Sequence, residues 1–213
     1  NIYGHNKRKI IICHLGNGAS ITAVKDGKSV ATSMGLTPLG GIMMGTRTGD
    51  LDPSIMYFVA KRENKTIDEV YDIFNKESGM LGVSQISNDS RDIEAAAVKG
   101  DKQALFTEQL YARRISDFIG QYHIRLGGAD TIVFTAGIGE NVSVIRKLIL
   151  EEIKDAMSVV YDNEINKKTF GGKQTKITTS ESKVDVWVIP TNEELMIVRD
   201  TVRVLNLCED EEC

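Results

Sequence analysis

Three short apolar runs, rich in β-branched residues, each stop at a glycine or polar turn. They are KIIICHL (9–15) before Gly-Asn-Gly, TIVFTA (131–136) before Gly-Ile-Gly-Glu-Asn, and VDVWVI (184–189) before Pro-Thr-Asn-Glu-Glu. Runs of this length and composition read as buried strands. Helical patterns separate and follow them, which confines the chain to α/β architectures.

Local signals supply the other elements. Residues 20–25 and 28–33 flank Asp26-Gly27, a dipeptide that tolerates the positive φ angles of a two-residue hairpin, so the chain opens as a three-stranded β-meander. Eight of the 19 glycines lie between Gly16 and Gly49, and 34–52 reads as a loop whose backbone approaches something closely. Asp52-Pro53 opens a helix to about Arg62. Thr66 and Glu69 form a capping box for another to about Lys76. The polar cluster 87–90 leads into a short helix through Val98. Tyr111, Ile115, Phe118, Ile119, Tyr122 and Leu126 fall at helical spacing in a long amphipathic helix over 102–126 that Gly127-Gly128 ends. The 137–141 loop precedes a helix to about Lys154, and a last helix, capped by Thr191 and Glu194, carries Leu195, Val198, Val202 and Leu205 on one face. Gly171-Gly172 is a loop. The order is β-meander, helices, then two strand-loop-helix units, without internal repeats, in one domain over 1–207.

Composition excludes some functions. The tail Glu209, Asp210, Glu211, Glu212, expected to be disordered over 208–213, accounts for the whole net charge of -4 in these 213 residues. The body is neutral and lacks the basic surplus of a nucleic-acid binder. No apolar run approaches the ~20 residues that span a bilayer, which argues against membrane insertion. The N-terminal Asn-Ile-Tyr-Gly-His has neither an initiator Met nor the basic-then-apolar order of a signal peptide, and reads as a processed or truncated start. Cys13, Cys208 and Cys213 are odd in number and lack metal-ligand spacing, as expected of free thiols in a reducing cytoplasm.

Two common phosphate motifs are absent. Gly27-Lys28-Ser29 resembles the end of a P-loop, but position 22 is Thr and the segment lies in a hairpin; Gly137-Ile138-Gly139 follows a strand, but position 142 is Val, so the dinucleotide fingerprint fails. His14-Leu15-Gly16-Asn17-Gly18 is either a tight turn with a satisfied histidine or a place where backbone and donor side chains meet phosphate oxygens. Gly137-Ile138-Gly139-Glu140-Asn141 is either a plain cap at Asn141 or an anion-attracting helix start. Arg47, between Gly45 and Gly49 with Asp50 and Asp52 behind it, is a solvated arginine or a fork for a carboxylate or a transferring phosphoryl group. Asp89 and Arg91 hold a ribose or base, or Asp89 simply caps a helix. Glu193, left over by the Thr191–Glu194 cap, is a dipole-favoured surface residue or an Mg²⁺ ligand at a strand end. His5 reads as solvated and His123 as a core or edge histidine.

Taken together, HLGNGAS (14–20), MGLTPLGGIMMGTRTGDLDP (34–53), SNDSRD (87–92), FTAGIGEN (134–141) and VIPTNEELMIVRD (188–200) resemble the acetate kinase family, in the family's order, over about residues 9–205. The resemblance implies the ribonuclease-H-like ATPase fold of acetate, sugar and glycerol kinases, actin and heat-shock chaperone ATPases. This chain would be the second, C-terminal half, with the family's N-terminal domain absent from it. It implies ATP/ADP and acetate/acetyl phosphate as substrates, Mg²⁺, a homodimer formed through this domain, and propionate kinase or a noncatalytic nucleotide-binding or dimerisation module as alternatives. By position, His14, Leu15, Gly16, Asn17 and Gly18 match the family's phosphate turn, Asp89, Ser90 and Arg91 its adenosine-side segment, and Gly137, Ile138, Gly139, Glu140 and Asn141 its second nucleotide loop. Glu193 matches its magnesium glutamate, and Arg47 the arginine that orients substrate and stabilises the transferring phosphoryl group.

Overall fold

The computed structural model describes residues 8–205. Its first three strands, β1 (Lys9–Leu15), β2 (Ala19–Lys25) and β3 (Lys28–Thr32), form the expected antiparallel meander, with Asp26 and Gly27 both at positive φ in the hairpin. Alternation sends Ile11, Cys13 and Leu15 of β1 and Ala19, Ile21 and Ala23 of β2 into the core. Burial pushes the Cys13 thiol up, so it is an inert core group. Cys208, Cys213, His5 and the acidic tail lie outside the described residues.

Residues 33–53 form no helix or strand. Then come α1 (Ser54–Glu63), α2 (Ile67–Lys76), α3 (Gly79–Ser84), α4 (Ser90–Val98) and the 25-residue α5 (Lys102–Leu126). The Thr66–Glu69 capping box forms as expected, and Asp52 accepts the Ser54 N–H at 2.8 Å where α1 begins. Tyr111, Ile115, Ile119, Tyr122 and Leu126 line the buried face of α5, which packs on β1 and β2. His123 is an edge histidine: its Nδ1 accepts the Ala129 N–H at 3.0 Å just past the helix.

The second part departs from the strand-loop-helix expectation. β4 (Thr131–Thr135) runs directly into α6 (Ala136–Asn141), so residues 137–141 are helix and not loop. Ala136 makes the turn at φ 64°, a left-handed conformation that a non-glycine residue holds at a cost of order 1 kcal/mol. Next are α7 (Ser143–Met157), α8 (Asn163–Lys168), the two-residue β5 (Thr175–Lys176), β6 (Asp185–Val188) and α9 (Glu193–Leu205). The sequence signals had missed α3, α8 and β5, which are six residues or shorter. No described residue of α9 is fully buried: Leu195, Ile197 and Val198 are exposed and Val202 is half-buried. No helix among them is long and apolar enough to cross a membrane.

The sheet order is β3-β2-β1-β4-β6-β5. β1 pairs in parallel with β4, and β4 with β6, setting His14 beside Thr135 and Phe134 beside Val188. The carboxyl ends of all three therefore share one edge of the sheet, where ligands bind in open α/β sheets.

Glu108 is an acidic side chain buried between helices. Glu108 of α5 borders a small cavity with Met80, Ser90, Ile93, Thr107 and Ile145; burial, then the nearby Glu94 carboxylate, raises its carboxyl to about 7. The fold thus favours the protonated form, and stability is lost as pH rises from the ordinary value of 4.5 through about 7. Glu108→Gln should remove this loss and be roughly 2 kcal/mol more stable than the parent at pH 8, with little difference at pH 4.5. Urea unfolding at the two pH values measures it.

Candidate functional site

The carboxyl ends of β1 and β4 open onto a cleft of about 420 Å³. Gly16 and Asn17, Asp89, Ser90 and Arg91, and Gly137, Ile138 and Asn141 line it, so three segments far apart in sequence meet there. Asn88 and Val142, unassigned from sequence, complete the lining.

Asn17 ties the pieces together. Its carbonyl accepts the Gly45 N–H and its Oδ1 accepts an N–H from the Asn88 amide, each at 3.0 Å. Gly45 lies so close that a Cβ there would fall on Asn17 Oδ1. The other residues of the turn have different places. Leu15 is wholly buried; His14 stands within β1, paired with Ser20 and Thr135; and a Cβ on Gly18 would sit 3.4 Å from Arg47 Nη1.

Asp89 caps α4, accepting the Arg91 N–H at 2.9 Å, and both its oxygens receive the Arg91 guanidinium. Those bonds hold the Asp89 carboxyl down at about 2. Arg91 itself is exposed, and it presents its remaining donors on the cleft wall.

Gly137 and Ile138 belong to the first turn of α6, whose N–H groups have no acceptor within the helix. Asn141 is not an N-cap: it ends α6, its Nδ2 donating to the Gly137 carbonyl and its Oδ1 accepting the Gly171 N–H. Gly139 faces away, 3.4 Å at its Cβ position from the backbone of Phe134, and Glu140 accepts the Thr191 N–H at 2.9 Å. Thr191 also departs from the expected cap. Its hydroxyl meets Thr135 Oγ1 at 2.6 Å and accepts the Ala136 N–H, while Asn192 Oδ1 accepts the Leu195 N–H in the first turn of α9. Glu193 opens α9 just beyond β6; its side chain lies outside the described residues. Among the described residues no group of three or more His, Cys, Asp or Glu is arranged to hold a metal.

Among the described residues Arg47 has no carboxylate within ion-pair distance. Asp50 accepts the Gly41 N–H and Asp52 the Ser54 N–H, with Pro53 and not Asp52 at the N-cap of α1, so the two acids behind it hold turns, and Arg47 Nη1 touches the Pro38 carbonyl at 3.4 Å and Met44 Sδ at 3.6 Å. Its backbone is fixed: the Met44 N–H donates to the Arg47 carbonyl, Ser78 to Thr46, and Met80 to Met44. Arg47 is thus a half-buried guanidinium on a clamped loop, beside Gly18 and outside the cleft lining.

The fold is one that acetate kinases contain, making up about half of each. A solved acetate kinase from Porphyromonas gingivalis superposes with TM-score 0.89 at 42% identity, over 93% of this chain and 49% of that one; a propionate kinase from Francisella tularensis gives 0.86 at 41%, over 93% and 50%. The acetate kinase of Dictyoglomus thermophilum is 52% identical over 197 residues, 92% of this chain and 49% of its own length, and that of Chlorante-Aster yellows phytoplasma 50% identical over 203, 95% and 49%. The model of the acetokinase family matches residues 3–199, and the chain belongs to that family. It spans about half the length of the curated relatives it matches.

Gly79 clamps the arginine loop at φ +61°, where a Cβ would collide with the Met44 carbonyl and the Arg47 backbone. Gly100, at φ +88°, has open space around it. Gly79→Ala should therefore cost about 3 kcal/mol, left-handed strain plus overpacking, against about 1 kcal/mol for Gly100→Ala. Equal thermal shifts for the two variants would remove the proposed clamp.

Proposed function

We propose that these residues form the nucleotide-binding half of an acetate kinase, which reversibly transfers the γ-phosphoryl group of ATP to acetate, giving ADP and acetyl phosphate. The observation that carries this reading is the convergence of residues 16–17, 88–91 and 137, 138, 141 and 142 on one cleft at the carboxyl edge of the sheet. The acetate kinases at 50–52% identity favour acetate over propionate as acceptor.

Phosphoryl transfer needs positioning and neutralisation of oxygen charge more than covalent chemistry. On this reading the 16–18 turn and the first turn of α6 receive the phosphates, the Asp89–Arg91 side receives the nucleoside, and Arg47, beyond Gly18, receives the group in flight. Mg²⁺ would be held by Glu193 and would neutralise charge on the phosphate oxygens. Mg²⁺ in phosphate sites takes one or two carboxylates and keeps waters, so Glu193 would be the protein's ligand with phosphate oxygens and water completing the shell, since the Glu140 carboxylate and the Thr135 and Thr191 hydroxyls are engaged with the protein.

The other half of the kinase would close the cleft and cover α9, where Leu195, Ile197 and Val198 are exposed. A homodimer through this domain would draw on further exposed apolar residues, such as Phe106 and Ile124 of α5. The cytoplasm is the compartment that such a metabolic kinase and a reduced Cys13 both fit.

In an intact kinase carrying these residues, Arg47→Ala should lower kcat by ~10² or more with nucleotide KM nearly unchanged, because charge on the transferring group develops in the transition state. Arg47→Lys should recover little, lacking the planar fork. Acetyl phosphate formation, trapped as the hydroxamate, measures both. Wild-type turnover in Arg47→Ala would contradict the assignment and favour a noncatalytic module.

A further inference from the structure

Arg146 of α7 is the largest fully buried side chain among the described residues, and no carboxylate pairs with it. Burial pulls it down to about 10, which leaves it charged at neutral pH. Such a charge is tolerated only when hydrogen bonds replace the lost water. A guanidinium has five N–H donors, and all five are used here. Nε donates to Asn166 Oδ1 at 2.8 Å; Nη1 donates to the Gly139 and Glu140 carbonyls, both at 2.9 Å; and Nη2 donates to the Asn166 and Thr169 carbonyls at 2.8 and 2.9 Å.

The acceptors have a common origin. The carbonyls of Gly139 and Glu140 close the last turn of α6, and those of Asn166 and Thr169 lie at the end of α8. Last-turn carbonyls have no partner within their helix and carry its negative dipole end. One cation therefore satisfies the ends of two six-residue helices, each too short to hold by its own hydrogen bonds. Asn166, itself fully buried, completes the clamp by donating from Nδ2 to the Ser143 carbonyl at 3.0 Å.

α6 is a wall of the cleft, which Gly137 and Ile138 line from its first turn and Asn141 from its last. We propose that Arg146 is a positioning residue for nucleotide: from beneath the cleft it pins the carboxyl end of α6, fixing where Gly137, Ile138 and Asn141 meet the ligand, without touching the ligand. This rests on the nucleotide reading of the cleft. Lysine cannot substitute, since an ammonium has three donors and no plane with which to span two helix ends.

The test uses an intact kinase carrying these residues, with ADP as the probe, and compares Arg146→Lys and the milder Asn166→Ala with the parent. Arg146→Lys should weaken ADP binding and raise nucleotide KM about tenfold or more, speed amide exchange at 136–141 by a similar factor, and leave acetate KM and kcat at saturating nucleotide within about twofold. Asn166→Ala, which keeps the arginine and most of its acceptors, should show the same pattern at about threefold, and it keeps the test open if Arg146→Lys does not fold. Wild-type ADP affinity and exchange in the variants overturn the proposal, as does a uniform fall in kcat and in the affinity for both substrates. Failure of ADP to bind the parent, or to protect 136–141 in it, overturns the nucleotide reading and the proposal with it, and the parent control separates this from failure of the arginine's role alone.

Discussion

Parallel pairing of β1 with β4, and of β4 with β6, is the constraint from which the site follows. Antiparallel pairing would send one of the three carboxyl ends to the far edge of the sheet. Parallel pairing requires long crossovers, and the chain supplies them: α1 to α5 lie between β3 and β4, and α6 to α8 between β4 and β6. With the strands so placed, the turn after β1, the start of α6 and the start of α9 become neighbours although residues 16 and 193 are far apart in sequence.

What holds these neighbours is mostly backbone hydrogen bonding reinforced by a few side chains. Asn17 joins the first turn to the arginine loop through Gly45 and to the start of α4 through Asn88. Thr191 and Glu140 join the two later units, the hydroxyl accepting the Ala136 N–H and the carboxylate the Thr191 N–H. The left-handed φ at Ala136 is maintained inside this lacing, an arrangement in which surrounding contacts over-determine a strained residue. Glycine at 45 and 79 is explained by close approach, since a Cβ at either position would enter a neighbouring group.

Much of this was legible in the sequence where a signal was local. The Thr66–Glu69 box, the Asp-Gly hairpin and the α5 stripe all formed as their patterns indicated, because no tertiary partner competed for those groups. The Thr191–Glu194 pattern satisfied the same capping rule and did not form, because the Thr191 hydroxyl is taken by Ala136 and Thr135 across the sheet edge. Residues 137–141 read as loop on their two glycines, yet they are helical, anchored at the first turn by Thr191 and at the last by Arg146. A trace of Arg146 was present: it stands three, four and seven residues before Ile149, Leu150 and Ile153, on the apolar stripe of α7. An arginine on a buried stripe needs acceptors, but their identity depends on tertiary contacts at residues 139–140 and 166–169, which no local pattern encodes.

The central claim is that three separated segments make one nucleotide site. Amide chemical shifts of the ¹⁵N-labelled 213-residue chain, followed while ADP is titrated to millimolar concentration, test it most directly. The account predicts shifts that saturate together at residues 16–18, 88–91 and 137–141. Shifts confined to one of these segments, or centred on the separate cavity of about 440 Å³ beside Leu51 and Leu110, would contradict it.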